Sequence, residues 1–199
     1  MDQNLDYTQS WSGYKWNIYD AYEEFTEEEL GYFTSRIPVM DRTGKKEMFS
    51  IYTFDSEDYA CSVGLPGTNC IGGNAISWFS EQQNLFSHGL ANRDLVFMHR
   101  PLQEVMTACN VLEIYGLKGE SINCQAMNTG LFAQILENGN TAWISSGGAA
   151  NNDFFTIYHG VHLSTARKTG SAGAGNILRG ARIFKLQQNK DASLLVMSS

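Results

Sequence analysis

The chain has 199 residues, of which 43% are hydrophobic, 12% aromatic and 18% charged. This length and composition suit one folded domain and exclude a wholly disordered chain. Fourteen Lys and Arg residues against twenty-one Asp and Glu residues give a net charge of −7, which disfavours binding to nucleic acid or to an acidic membrane surface. No segment approaches the roughly 20 apolar residues of a membrane span, and the N-terminus lacks the order of a signal peptide.

The first part of the chain predicts an arm followed by a helix. Residues 1–19 are rich in Trp, Tyr and Asn without a clear period, so they predict an irregular aromatic arm. Asp20 and Glu23 have the spacing of a capping box, which predicts the start of a helix. The acidic run 23–29 then forms a solvated face rather than a metal site.

Strands and helices alternate in the remainder of the chain. Short apolar runs predict five strands, over Met48–Phe54, Leu95–Met98, Ala142–Ser145, Ile157–Leu163 and Arg182–Leu186. One helix is expected over 74–87 with Asn74 as its cap, and another from near Asn128 to Gly139. The last dozen residues fit a tail or an edge strand. This order predicts a mixed α/β layered fold.

The four histidines differ in what their positions indicate. His88 lies in a polar loop after a helix and is expected to be exposed. His159 and His162 are three residues apart in a predicted strand, so their side chains would point to opposite faces and could not share one ion. His99 follows a buried strand, and open α/β sheets place their site residues at such strand ends.

The cysteines and glycine-rich segments carry no recognisable catalytic motif. The four cysteines lack CxxC spacing, so two disulfides or four buried thiols both remain open. Cys109 and Cys124 have no histidine nearby, which argues against a nucleophilic thiol. The glycine-rich segment 170–175 precedes a strand instead of opening a helix, so a hairpin loop is preferred over a phosphate cradle.

Six collinear segments carry a family resemblance, which spans roughly residues 48–187. They are FDSEDY (54–59), CIGGNAISWFSEQ (70–82), VFMHRPLQE (96–104), YGLKGESINCQAMNTGLF (115–132), NNDFF (151–155) and ARKTGSAGAGNILRGARIF (166–184). This series resembles the calcineurin-like metallophosphoesterases, specifically their purple acid phosphatase-like branch. The resemblance divides the chain into an N-terminal arm and acidic helix (1–47), a degenerate phosphoesterase-like domain (48–187) and a C-terminal tail (188–199).

The resemblance implies the C-terminal half of an αββα sandwich whose active members hold two divalent metals at the strand ends. His99 corresponds to a family metal ligand, whereas the two histidines of the GHxH ligand pair correspond to Gly148 and Ala150. The DxH, GDxxD and GNH ligand motifs do not occur before Ser56. Because glycine and alanine side chains cannot bind metal, the resemblance implies a pseudoenzyme with no metal cofactor.

The same resemblance assigns provisional roles to other residues. Arg100, Arg167 and Lys168 are candidate anion contacts. The spacing of Cys61 and Cys70, with eight residues between them around a Pro-Gly turn, separately indicates a candidate disulfide. Residues that keep the family identity are interpreted as scaffold: Asp55, Asn128, Asn152, Asp153, Arg179 and Arg182.

A half-sandwich would leave the inner face of its sheet uncovered. The aromatic arm, other protein subunits or a second copy of the chain could cover that face. The function expected from the sequence is therefore an inactive, structural or accessory subunit of a larger assembly. A metal-dependent phosphoesterase whose missing ligands come from elsewhere and an anion- or ligand-binding pseudoenzyme are the alternatives. The resemblance implies a secretory, vacuolar or extracellular location, with an organelle complex as the alternative.

Overall fold

A computed structural model of the chain describes residues 30–56, 70–86, 94–170, 175–187 and 193–198. Its strands are β1 Ser35–Met40, β2 Glu47–Phe54, β3 Asp94–Met98, β4 Tyr115–Lys118, β5 Thr141–Ser146, β6 Asn152–Tyr158, β7 Val161–Thr165, β8 Arg182–Gln187 and β9 Ser193–Ser198. Its helices are α1 Gly73–Leu85, α2 Gln103–Val111 and α3 Leu131–Asn138. The predicted mixed α/β fold is confirmed.

Seven strands form one mixed sheet in the order β1-β2-β3-β5-β7-β6-β4, and β8 pairs with β9 separately. The four central strands, β2, β3, β5 and β7, run parallel to one another. β1, β6 and β4 are each antiparallel to the strand beside them. The carboxyl ends of the four central strands therefore meet at one edge of the sheet.

The main hydrophobic core lies on the face of the sheet that the three helices cover. Alternate residues of the central strands, such as Tyr52, Val96 and Leu163, point to this face and are fully buried. Phe79 of α1 packs edge-on against Tyr52, with ring centroids 4.8 Å apart. α3 contributes Ile135 to the same core.

The opposite face is partly covered by β8. Phe184 of β8 packs edge-on against Phe97 and Trp143, at centroid distances of 5.2 and 5.7 Å. Trp143 also stacks on the His162 ring at 4.4 Å and donates a 2.7 Å hydrogen bond to Ser164 Oγ. The sequence analysis assigned the cover of this face to the arm, other subunits or a second copy, whereas at its centre β8 of the same chain provides the cover.

Several predicted helix boundaries need correction. α1 ends at Leu85, and Gly72 rather than Asn74 occupies its N-cap position, with no side-chain cap hydrogen bond. α3 starts at Leu131, later than predicted, although Asn128 Oδ1 accepts a 3.0 Å hydrogen bond from the N–H of Gly130 just before the helix. The predicted end of α3 is confirmed, because Gly139 takes the left-handed conformation that ends many helices.

The predicted strand Ile157–Leu163 is wrong, because a turn divides it between β6 and β7. His159 and Gly160 occupy the turn with φ of 48° and 82°, the positive values that a tight two-residue hairpin turn needs. His159 is therefore a turn residue, and only His162 lies in a strand. β1, α2 and β4 were not predicted.

Some predictions fall outside the described residues. These are the arm 1–19, the capping box of Asp20 and Glu23, His88 and the centre of the glycine-rich segment. At the C-terminus the edge-strand alternative holds, since Ser193–Ser198 pairs with β8, while the predicted domain boundaries stay predictions. In the described part of the chain, no helix is long and apolar enough to span a membrane.

Candidate functional site

Three predicted or neighbouring site segments meet at the carboxyl edge of the parallel strands. Asp55 and Ser56 follow β2, and His99 follows β3. Gly147 and Gly148 follow β5, which lies directly beside β3. The topology therefore brings the residues of separate sequence motifs to one place, as the sequence analysis expected for His99.

Ser56 organises the turn that carries His99, a role the sequence analysis missed. Its hydroxyl accepts hydrogen bonds from the backbone N–H groups of His99 and Arg100, at 3.1 and 2.9 Å. Ser56 is only 1% exposed, so water cannot replace these bonds. The N–H of Gly147 donates to the carbonyl of His99 at 3.0 Å and ties the two strand ends together. The serine of the FDSEDY segment was the available signal.

The side chain of His99 lies against the two glycines that follow β5. A β-carbon at position 148 would lie 3.8 Å from His99 Nε2, and one at position 147 would lie 3.5 Å from His99 Nδ1. A ligating side chain at position 148 would thus start beside the imidazole. Gly148 has a φ of +77°, a conformation that side-chain-bearing residues rarely adopt.

The donor set does not fit the two-metal centre that the resemblance implies for active members. Two divalent ions need several His, Asp or Glu side chains converging at the strand ends. Across the described ranges, no group of three or more His, Cys, Asp or Glu side chains could hold a metal ion. His99 has glycines, not ligands, on its β5 side.

Asp153 and two arginines form a compact ionic cluster at the same edge. Arg182 donates to Asp153 Oδ1 at 2.8 Å, and Arg167 Nε donates to Oδ2 at 2.6 Å, with a second Arg167 nitrogen also in contact. Arg182 is 3% exposed and also reaches the carbonyls of Phe154 and Thr165. Arg167, a predicted anion contact, is thus engaged by a carboxylate.

Asn152 holds the segment after β4 against the start of β6. Its side-chain oxygen accepts hydrogen bonds from the N–H groups of Gly119 and Glu120, at 3.0 and 3.1 Å. The Glu120 carboxylate in turn accepts from the N–H of Asn151 at 2.9 Å. These bonds fix the backbone beside the ionic cluster, which is consistent with the scaffold role predicted for Asn152.

The other predicted contacts are dispersed over this end of the fold. Lys168 donates to the carbonyl of Gly175 at 2.6 Å, and Arg179 Nε donates to that of Gly170 at 3.0 Å. Both cations therefore brace the glycine-rich segment. Arg100 Nε is buried and has no hydrogen-bond partner in the described ranges. Asn128 Nδ2 donates a hydrogen bond to Glu104 Oε1 at 2.7 Å. The backbone N–H of Asp55 donates to Thr34 Oγ1 at 3.1 Å.

The cysteines divide into one disulfide-bonded residue and two thiols. Cys70 is in a disulfide, and its predicted partner Cys61 lies outside the described residues. Cys109 and Cys124 are free and half-buried. Burial raises the pKa of the Cys109 thiol to about 11 and also raises that of Cys124. Both stay protonated at neutral pH, which agrees with the prediction that neither is a nucleophile.

A second buried polar cluster, also missed by sequence, lies at the opposite edge of the sheet, where β3 begins. Asp94 is 5% exposed and accepts hydrogen bonds from the N–H of Ser50 at 3.2 Å and from Gln83 Nε2 at 2.8 Å. Burial raises the pKa of Asp94 from 3.8 to about 6 despite these bonds. Nearby, Arg36 pairs with Glu47. Asp94 opens an apolar run, and this position alone carries no signal of burial.

Comparison with known proteins gives one informative match. The chain is 31% identical over 98 residues to "Probable inactive purple acid phosphatase 14" of Arabidopsis thaliana. The match suggests the metallophosphoesterase superfamily. It covers 48% of this chain but only 24% of that relative, so the chain spans about a quarter of the protein it matches. None of the known protein-family models matches the chain.

Proposed function

We propose that this chain is a catalytically inactive metallophosphoesterase-like protein with a structural or accessory role in a larger assembly. The proposal that the chain is catalytically inactive rests on the surroundings of His99. The His99 side chain, which follows β3, faces Gly147 and Gly148, where a two-metal centre would need ligands. The similarity to a relative named as inactive supports the same proposal.

The accessory role is supported by where the charges and the apolar surface lie. Arg167 and Arg182 are bound to Asp153, which leaves them little capacity to bind a phosphate. Tyr115, Leu117 and Ile157 are each about half exposed on neighbouring strands. Exposed apolar residues that lie together on one face are one feature of protein-binding surfaces. The disulfide at Cys70 favours maturation in an oxidising compartment.

Measuring the metal bound to the purified full chain tests the proposal that the chain is catalytically inactive. The chain is incubated with iron, zinc or manganese, passed through a desalting column, and assayed for bound metal and for hydrolysis of p-nitrophenyl phosphate. We expect well under one ion per chain and no hydrolysis above the rate without protein. The matched control, His99→Ala, should give the same values. About two ions per chain, lost in the His99→Ala variant, would refute the proposal.

The native mass of the protein isolated from its source tests the proposed accessory role in a larger assembly. We expect recovery in an assembly heavier than one chain, with its other components identified by mass spectrometry. Recovery as a small particle that carries two metals per chain would contradict both halves together.

A further inference from the structure

Two free thiols among the described residues lie on segments that pack side by side. Cys109 belongs to α2, next to the buried residues Val105 and Ala108 of the same helix. Cys124 belongs to the irregular segment that follows β4. Both cysteine side chains are half-buried and pack against the main hydrophobic core. The fold, and not the local chain, therefore brings them to the same part of the core.

Backbone contacts hold the segment of Cys124 along the start of α2. The N–H of Gln125 donates to the carbonyl of Pro101 at 2.9 Å, and Gln103 Nε2 donates to the carbonyl of Gln125 at 3.3 Å. On the other side of Cys124, Ile122 is 9% exposed and belongs to the main core. Cys124 is thus held beside α2 between two anchored neighbours.

The Cys124 thiol faces the turn of α2 that carries Cys109. Burial raises the pKa of the Cys124 thiol, and contact with the backbone N–H of Met106 lowers it. Met106 lies three positions before Cys109, and residues at this spacing are neighbours on a helix surface. Burial raises the pKa of the Cys109 thiol, Lys118 lowers it, and Cys124 raises it further. The two thiols are therefore neighbours across the contact between α2 and the segment after β4.

We infer that Cys109 and Cys124 are a modification site, at which a small disulfide oxidant joins them in a second disulfide that ties α2 to the segment after β4. The disulfide at Cys70 favours a compartment that supplies such oxidants. A disulfide needs its two β-carbons about 3.5–4.5 Å apart. Residues 119–130 form no helix or strand, so the backbone beside Cys124 can adjust to this geometry.

Charges near the two thiols select Cys109 as the one that reacts first. Lys118 favours the thiolate of Cys109, whereas Glu104 disfavours that of Cys124. The Cys109 thiolate attacks one sulfur of oxidised glutathione, which forms a mixed disulfide and releases one molecule of reduced glutathione.

The second step closes the bridge. The Cys124 thiol loses its proton and its sulfur attacks the Cys109 sulfur, which releases the second molecule of reduced glutathione. The two cysteines lose two electrons in total, and these reduce the glutathione disulfide to two thiols. Because burial keeps most of Cys109 protonated at neutral pH, the exchange is a slow maturation step and not a catalytic reaction.

The bridge closes a loop that contains β4. This strand is at the end of the seven-stranded sheet, and all four of its residues are exposed. A crosslink across a loop of about 15 residues restricts the unfolded chain and thereby stabilises the folded one. The bridge therefore anchors an edge strand that otherwise pairs with β6 alone.

Peptide mapping of the purified full chain tests the inference. The chain is incubated with oxidised glutathione, its remaining thiols are alkylated, and it is digested with trypsin. Trypsin cuts after Lys118, so Cys109 and Cys124 leave in separate peptides, 94–118 and 119–167. We expect these two peptides to be recovered joined by a disulfide. Recovery of both as separate alkylated or glutathione-bearing peptides, or a bridge from either to another cysteine, would overturn the inference.

A matched control separates placement from chance contact. The double variant Cys109→Ser, Thr107→Cys keeps one cysteine on α2 but moves it to an exposed position on another side of the helix. It should form no bridge to Cys124, and a bridge in the same yield as in wild type would count against the inference. Lys118→Gln should slow the bridging of the wild-type pair at most about fivefold, as expected for one exposed charge.

Thermal unfolding measures the effect of the bridge. The oxidised wild-type chain should unfold about 6–12 °C above the double variant Cys109→Ser, Cys124→Ser, which keeps the disulfide at Cys70. Amide exchange in β4 should also be slower in the oxidised wild type. Equal midpoints and equal exchange would contradict the anchoring of β4.

The inference does not rest on the proposed function, and the two can fail separately. A metal-free chain whose thiols stay apart would overturn the second disulfide and leave the chain inactive. A bridged chain that carries two metals would overturn the proposed function and leave the second disulfide in place.

Discussion

The two ends of the parallel strands bury carboxylates in different ways. At the carboxyl edge, Asp153 is held by two guanidinium groups and is 8% exposed. At the amino edge, Asp94 is equally buried but accepts hydrogen bonds only from neutral donors, Ser50 and Gln83, with Arg36 acting on it at longer range. Similar burial therefore goes with different partners, two cations at Asp153 and neutral donors at Asp94, where burial raises the pKa of the carboxyl group.

The two edges therefore differ in the charge of the groups that surround their buried carboxyl group. The carboxyl edge, which contains His99, is held by arginine, asparagine and serine contacts. The amino edge, remote from that region, contains a carboxyl group that can change its protonation state in a mildly acidic compartment. The three predictions below test this contrast.

Arg182→Ala should produce the largest loss of stability. The substitution removes a nearly fully buried guanidinium and leaves the buried Asp153 carboxylate with Arg167 alone. Breaking a buried ion pair on one side costs on the order of 3–5 kcal/mol. We expect a decrease of about 4 kcal/mol in the free energy of unfolding, measured by urea denaturation. The control, Arg179→Ala, removes an exposed arginine from the same segment, and an equal loss in both variants would contradict a special role for the Asp153 cluster.

Asp94→Asn should change how stability depends on pH. The pKa of Asp94 is raised from 3.8 to about 6 by burial, so the folded chain binds more protons than the unfolded chain between these values. The contribution of Asp94 to stability is therefore full below about pH 4 and is lost as the pH rises through about 6. The full difference corresponds to about 3 kcal/mol.

The Asp94→Asn variant should lack this decrease, because an amide does not titrate and the Gln83 amide can turn to accept from it. Relative to wild type, the variant should gain about 3 kcal/mol in unfolding free energy between about pH 4 and pH 7. Glu137→Gln, which neutralises an exposed carboxylate, should show no such gain. Parallel stability curves for wild type and Asp94→Asn would show that Asp94 does not titrate in this range.

Ser56→Ala should have the smallest effect of the three. It leaves the backbone N–H groups of His99 and Arg100 without their buried acceptor. An unsatisfied buried donor costs about 1–3 kcal/mol, so we expect a loss of about 2 kcal/mol in the free energy of unfolding. Ser121→Ala, at an exposed serine, should be neutral. Amide exchange at residues 99 and 100 should accelerate only in Ser56→Ala.

The elements predictable from sequence are those whose apolar pattern is unbroken. β3, β5 and α3 each have three buried apolar residues within a short span, and these clusters predict the type of each element. α2 buries only Val105 and Ala108, too few apolar residues to form a helical stripe. The turn at His159 interrupts an apolar run without proline or a polar cluster, so β6 and β7 looked like one strand.

Site residues that belong to a sequence motif were predictable, whereas residues whose role depends on a tertiary hydrogen bond were not. His99 and position 148 were paired through the resemblance, and the structure places them side by side. Ser56 binds the N–H of His99, 43 positions away, and Asp94 accepts from the N–H of Ser50, 44 positions away, as well as from Gln83, 11 positions away. No local pattern encodes such bonds, because they exist only once the sheet order is known.

The strand order also constrains how the chain can fold. β6 and β7 are joined by a two-residue turn, so their pairing closes a very short loop. The parallel pairs β2 with β3 and β3 with β5 join segments some forty residues apart, as in the pairing of Ile51 with Leu95 and of Leu95 with Trp143. The entropy of closing such loops must be overcome before their contacts form. We therefore expect the β6–β7 hairpin to form before β2, β3 and β5 pair with one another.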